Sequence, residues 1–155
     1  FPGAAIGDSF YTDFGVKISP EMVEGLEVGY AMGTTEATAG TEIDDSTMYI
    51  KYAVGAVTVG YQTSESDAPT ATDTDESTMF GISYAVSDSF TVAYSQSEFD
   101  LGSSTTDQES DGISASYTMG GITIAGAMNS TDNIAGSTAT TADKDAYEMS
   151  ISFAF

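Results

Sequence analysis

The 155-residue chain has no cysteine, histidine, tryptophan or arginine, and three lysines are its only basic side chains. Each absence excludes a class of function. Without cysteine there are no disulfides and no thiolate nucleophile. Without histidine as well, the Ser-His and Cys-His catalytic arrangements and the usual zinc sites are gone. Three lysines against 24 acids give a net charge of −21. No basic patch can form to neutralise phosphates, so nucleic acid is not a partner. No apolar run approaches the roughly 18 residues of a membrane helix, and neither a start methionine nor a signal peptide is seen. What remains is 41% hydrophobic and only 17% charged, a composition that folds and is long enough for one domain.

Period-2 alternation is the dominant signal, and helical periodicity is absent. Nine strands are predicted near 9–19, 25–33, 46–54, 57–64, 78–86, 90–98, 112–119, 122–129 and 145–155, making the chain all-β. The third places Met48, Ile50, Tyr52 and Val54 on one face and Thr47, Tyr49, Lys51 and Ala53 on the other. Connections alternate in length. Short ones fall at 19–25, 54–57, 86–90 and 119–122, with Gly55, Ser87-Asp88-Ser89 and Gly120-Gly121 as turn residues. Long ones at 33–46, 64–77, 98–111 and 129–145 hold 17 of the 24 acids. The pattern is an up-and-down meander with one acidic rim. Ser46–Val54 returns as Ser77–Val86, an internal repeat. A solenoid would repeat with regular turns instead of alternating short and long ones.

One face of every strand is apolar. Thr12, Thr63, Thr78, Gln96 and Gly126 are its exceptions, and none is charged. A soluble sandwich would make such a face its dry core; a membrane barrel would turn it to lipid, where a mid-depth Arg or Lys costs about 2–4 kcal/mol. Aromatic residues separate the two. Phe10, Tyr30, Tyr61, Phe80, Tyr94 and Tyr147 fall near the long-loop ends, and Tyr52, Tyr84, Phe90, Tyr117, Phe153 and Phe155 near the short turns. Two bands of rings around an aliphatic belt match the girdles of a transmembrane β-barrel. The opposite face carries Tyr11, Asp13, Lys17, Glu27, Tyr49, Lys51, Gln62 and Glu148, read as pore-lining. Between the fifth and eighth strands it is nearly all Gly, Ala, Ser and Thr. Small inward residues suit a wide, wet lumen or a wall with something lying against it.

The final strand, Tyr147-Glu148-Met149-Ser150-Ile151-Ser152-Phe153-Ala154-Phe155, alternates hydrophobics up to a terminal aromatic. With the hairpin pattern of residues 9–155 it resembles the Gram-negative outer-membrane general porins, most like the alphaproteobacterial type. The resemblance implies a homotrimeric antiparallel up-and-down barrel of about sixteen strands, set in lipid and lipopolysaccharide with short periplasmic turns and long outer loops. Tyr147, Met149, Ile151, Phe153 and Phe155 would be the signal read by the outer-membrane assembly machinery. Such porins set a basic wall against an acidic inward loop, and only Lys17 and Lys51 face the lumen here. Either the basic cluster lies in sequence outside this chain or the pore is acidic and cation-preferring. Nine strands do not close a single-chain bacterial barrel of even strand number. The expectation is therefore that residues 1–155 are one barrel domain from the C-terminal part of a longer chain.

Asp73, Asp75 and Glu76 in a long loop carry oxygen ligands for a structural Ca²⁺, without EF-hand spacing; a solvated acidic rim is the alternative. No other cofactor is expected. Lys17 and Lys51 either form the cationic side of a solute path or pair with Asp13 and Glu27 across strands. Tyr11 and Tyr49 stack on a sugar-like solute or pack against a loop. Asp13, Glu27 and Glu148 give no basis for a raised pKa, so the protein is not read as an enzyme. The expected function is passive diffusion of small hydrophilic solutes and ions through a water-filled channel. The alternatives are a non-channel outer-membrane barrel with adhesive or structural acidic loops, and a soluble β-sandwich binding module.

Overall fold

The computed structural model describes residues 10–38, 41–68 and 74–154. Phe155, Asp73 and the side chain of Phe10 lie outside the described residues. Nine strands follow in order: β1 Phe10–Ile18, β2 Leu26–Thr38, β3 Thr41–Val54, β4 Val57–Asp67, β5 Asp75–Ser87, β6 Phe90–Asp100, β7 Gln108–Met119, β8 Ile122–Asp132 and β9 Lys144–Phe153. They form one antiparallel sheet in which every strand pairs with its neighbours in the chain. The sheet is open, with β1 and β9 at its edges. Two single 3₁₀ turns, Ile134–Gly136 and Thr140–Ala142, lie between β8 and β9.

The sheet is a single layer. No hydrophobic residue among the described ones is buried, and Tyr147 and Met149 are 74% and 75% exposed. A sandwich needs a second sheet to cover the apolar face. The structure has one sheet, so the β-sandwich reading does not hold. The up-and-down meander does.

The strands outrun the boundaries that alternation predicts. The predicted long loop at 33–46 is largely paired strand, and strands run into both ends of those at 64–77 and 98–111. β2 continues to Thr38 across a register shift between Glu36 and Thr38, and β3 begins at Thr41. Glu65 pairs with Glu76 and Glu98 with Glu109. Alternation of apolar and polar residues stops where the apolar face ends, but backbone pairing does not require it. Many acids assigned to loops therefore project from strands.

The first short turn depends on glycine. Gly25 has φ +83°, and its carbonyl accepts the Ala53 N–H at 2.9 Å. A Cβ there would stand 1.9 Å from the Ala53 carbonyl oxygen, so β2 enters the sheet beside β3 only with no side chain at 25.

Candidate functional site

Register assigns each side chain to a face, because paired residues share one. Lys17 pairs with Gly29 and Gly29 with Tyr49; Glu27 pairs with Lys51; Tyr49 pairs with Gln62; Ala127 pairs with Glu148. Tyr11, Asp13, Lys17, Glu27, Tyr49, Lys51, Gln62 and Glu148 thus occupy one face, opposite the apolar side chains. Lys144, paired with Thr131, joins Lys17 and Lys51 there, where the sequence alone points to only two lysines.

The structure draws four of these together near the short turns. Lys17 Nζ lies 3.0 Å from Glu27 Oε2, and Lys51 Nζ lies 3.2 Å from Glu27 Oε1. The Tyr49 hydroxyl donates to the same Oε1 at 3.0 Å. Three strands are tied through one carboxylate. Both lysines choose Glu27, and neither pairs with Asp13: Asp13 and Lys17 are four residues apart on one strand, about 13 Å at the usual rise. Tyr49 lies over Gly29, where a Cβ would meet its ring at 2.0 Å. Its hydroxyl is spent on Glu27 and one ring face is taken by the wall.

Toward the long loops the same face carries a row that the alternation does not reveal. Asp13, Gly33, Asp45, Ser66 and Asp75 are successive register partners from β1 to β5. Asp13, Asp45 and Asp75 line, with Tyr11, a depression of about 590 Å³. Continuing the period-2 pattern of β3 and β5 past Thr47 and Ser77 is the signal that would find Asp45 and Asp75. Asp75 and Glu76, consecutive in a strand, point to opposite faces, and Asp75 Oδ1 accepts the Gly102 N–H at 3.0 Å. Among the described residues no three acids are close enough to hold a metal ion.

Between these zones the wall is bare. Lys51, Gly60, Gly81, Ser95 and Gly112 follow one another in register. The next row is Thr58, Ser83, Ala93, Ser114 and Ala127. Hydroxyls pair along the face, Thr47 with Ser64 at 2.8 Å and Ser110 with Thr131 at 3.0 Å.

On the apolar face the rings mark an oblique line. Tyr30 shares a register row with Met48 and Thr63; in β4 the ring is Tyr61, two residues nearer the short turn, beside Phe80. Phe80 pairs with Gln96, and the ring of β6 is Tyr94, again two residues nearer. A step of two residues per two strands, at about 3.4 Å per residue and 4.8 Å per strand, inclines the line about 35° from the register rows. The outward acids descend likewise. Asp44 pairs with Asp67, yet Glu65 is the first outward acid of β4; Glu98 pairs with Glu109, yet Asp111 is the first of β7. From β2 to β6 the rings therefore follow a boundary inclined to the strands, as barrel strands tilt by about 35–45° to a membrane; from β6 to β9 Tyr94 and Tyr147 stand in one register row.

A family model described as Gram-negative porin matches residues 3–133. The chain belongs to the Gram-negative porin family. Comparison with curated proteins finds no match. As a porin it resides in the outer membrane. The last described strand, β9, lies beyond the matched span and continues the same faces, Met128 pairing with Tyr147 and Ile122 with Phe153.

Proposed function

We propose that this porin is a passive channel for small hydrophilic solutes and ions, formed when further strands of the same chain close the sheet between β9 and β1. The bare wall running from Gly60 through Gly81 to Ser95 carries the reading. A narrow barrel must fill its interior with side chains, and this wall offers none of size over several strands. What remains is room for water.

The charges favour cations. Asp13, Asp45 and Asp75 face the lumen on the long-loop side, and of the three lysines on this wall Lys17 and Lys51 are held by Glu27 while Lys144 stands on β9. Flux would follow lumen width and wall charge. Three such barrels associate as a homotrimer, and the assembly machinery reads the alternate hydrophobics Tyr147, Met149, Ile151 and Phe153 on β9 with the terminal Phe155. Purified folded protein in a planar bilayer is expected to give stepwise conductance with cation preference. A silent trace from folded protein would return the chain to the non-channel barrels.

A further inference from the structure

Two of the long connections lean onto the polar face. Asp75 stands on that face, in register with Ser66, and its Oδ1 accepts the Gly102 N–H from the β6–β7 connection at 3.0 Å. Gln108 stands on it too, paired with Phe99, and its Oε1 accepts the Ala135 N–H from the β8–β9 connection at 3.1 Å. Ser104 joins the two connections, its hydroxyl donating to the Thr106 and Gly136 carbonyls at 3.0 and 3.3 Å. A chain of contacts thus runs from β5 to β7 over the long-loop end of the polar face.

The junction is close and strained. Gly136 has φ +71°, and a Cβ there would collide with the Ser104 side chain. Ala135 has φ 58°, a left-handed conformation that costs an alanine stability and persists only where its surroundings hold it. Asn133, left-handed at φ 55°, is tied by its own N–H to Asp143 Oδ1 at 3.2 Å. Strained residues of this kind collect at switch regions. Composition points the same way. Residues 101–106 and 134–142 contain no charge, whereas residues 65–76 carry five acids. The two neutral segments meet without the repulsion that holds acidic segments apart.

We propose that the β6–β7 and β8–β9 connections form a neutral latch over the mouth of the lumen, which sets the size of solute admitted from the long-loop side. Gln108 and Ser104 hold it shut, and the strain at Ala135 favours its release. The latch and the acidic row divide the sorting. Asp13, Asp45 and Asp75 act on charge, which salt screens; a neutral latch excludes by size, which salt leaves alone. The proposal rests on the reading of the polar face as a lumen wall.

The test is thiol labelling of the full protein in the outer membrane of intact cells. Residues 1–155 have no cysteine, so Ser95→Cys puts their one thiol on the polar wall. A small methanethiosulfonate reagent is expected to label it at the same rate in every background. A bulky maleimide–polyethylene glycol is expected to label it slowly, and severalfold faster once Gln108→Ala frees Ala135 or Gly136→Ala wedges the connections apart. That factor is expected to be the same at low and high salt. Ala135→Gly, which takes a left-handed backbone freely, is expected to slow the bulky reagent further. Should Gly136→Ala not fold, by strand content and heat-shifted gel mobility, Ser104→Ala serves in its place. Equal bulky-reagent rates in all backgrounds, a rise shared by the small reagent, a factor that changes with salt, or faster labelling with Ala135→Gly would each overturn the latch. No labelling by the small reagent would overturn it together with the lumen wall. Labelling reads access and not current, so a silent bilayer trace leaves this test standing and the two readings fail separately.

Discussion

Lys17 Nζ lies 3.0 Å from Glu27 Oε2, and the other oxygen of that carboxylate takes Lys51 at 3.2 Å. One acid thus holds two of the three lysines on this face; the third, Lys144 on β9, pairs in register with Thr131. Glu27→Gln should leave two uncompensated ammonium groups and move the reversal potential in a potassium chloride gradient toward anions. Lys17→Gln combined with Lys51→Gln should move it the other way. Both shifts should shrink toward 1 M salt, where the Debye length falls to about 3 Å. Equal shifts in one direction would contradict the arrangement.

Adjacent residues should behave oppositely in the membrane. Ile82 pairs with Tyr94 on the apolar face, and Ser83 pairs with Ala93 on the polar face. Ile82→Arg should cost about 2–4 kcal/mol of folding into lipid, whereas Ser83→Arg should insert normally. Folding yield in liposomes, read by heat-shifted gel mobility, checks the pair. Equal yields would mean the faces are misassigned.

The turns should rank by what surrounds them. At Gly25→Ala the new Cβ meets the Ala53 carbonyl, whereas nothing lies within 4 Å of a Cβ at Gly55, φ +57°. Gly55→Ala should lose about 1–2 kcal/mol from backbone conformation alone, and Gly25→Ala distinctly more. Denaturant unfolding in micelles measures both, and the reverse order would contradict the structure.

Much of the fold is legible in the amino-acid order, for a physical reason. A single-layer sheet with one apolar and one polar face imposes an unbroken alternation, so nine strands and the opposite facing of Glu27 and Lys51 against Ile82 follow from period 2 alone. Strand ends do not. Beyond the belt both faces meet water, and Thr34 to Glu36 or Asp44 to Ser46 look like loop while they are paired strand. That conceals Asp45 and Asp75 as members of the polar face. The sharing of Glu27 by two lysines is hidden for another reason: it depends on register between strands, which the order of residues along the chain does not print.

The end of the chain should matter for delivery more than for stability. Phe153 pairs with Ile122 on the apolar face, and Tyr147 with Met128. If β9 is the assembly signal, Phe153→Ser with Tyr147→Ser should lower outer-membrane levels in cells much more than folding yield in liposomes. Unchanged cellular levels would remove the signal role.

Single-channel recording on the purified, folded protein tests the central claim most directly. An open porin gives discrete current steps, with a reversal potential on the cation side set by Asp13, Asp45 and Asp75 and moved toward anions when the three are changed to asparagine. A closed trace from protein shown to be folded and inserted would contradict it.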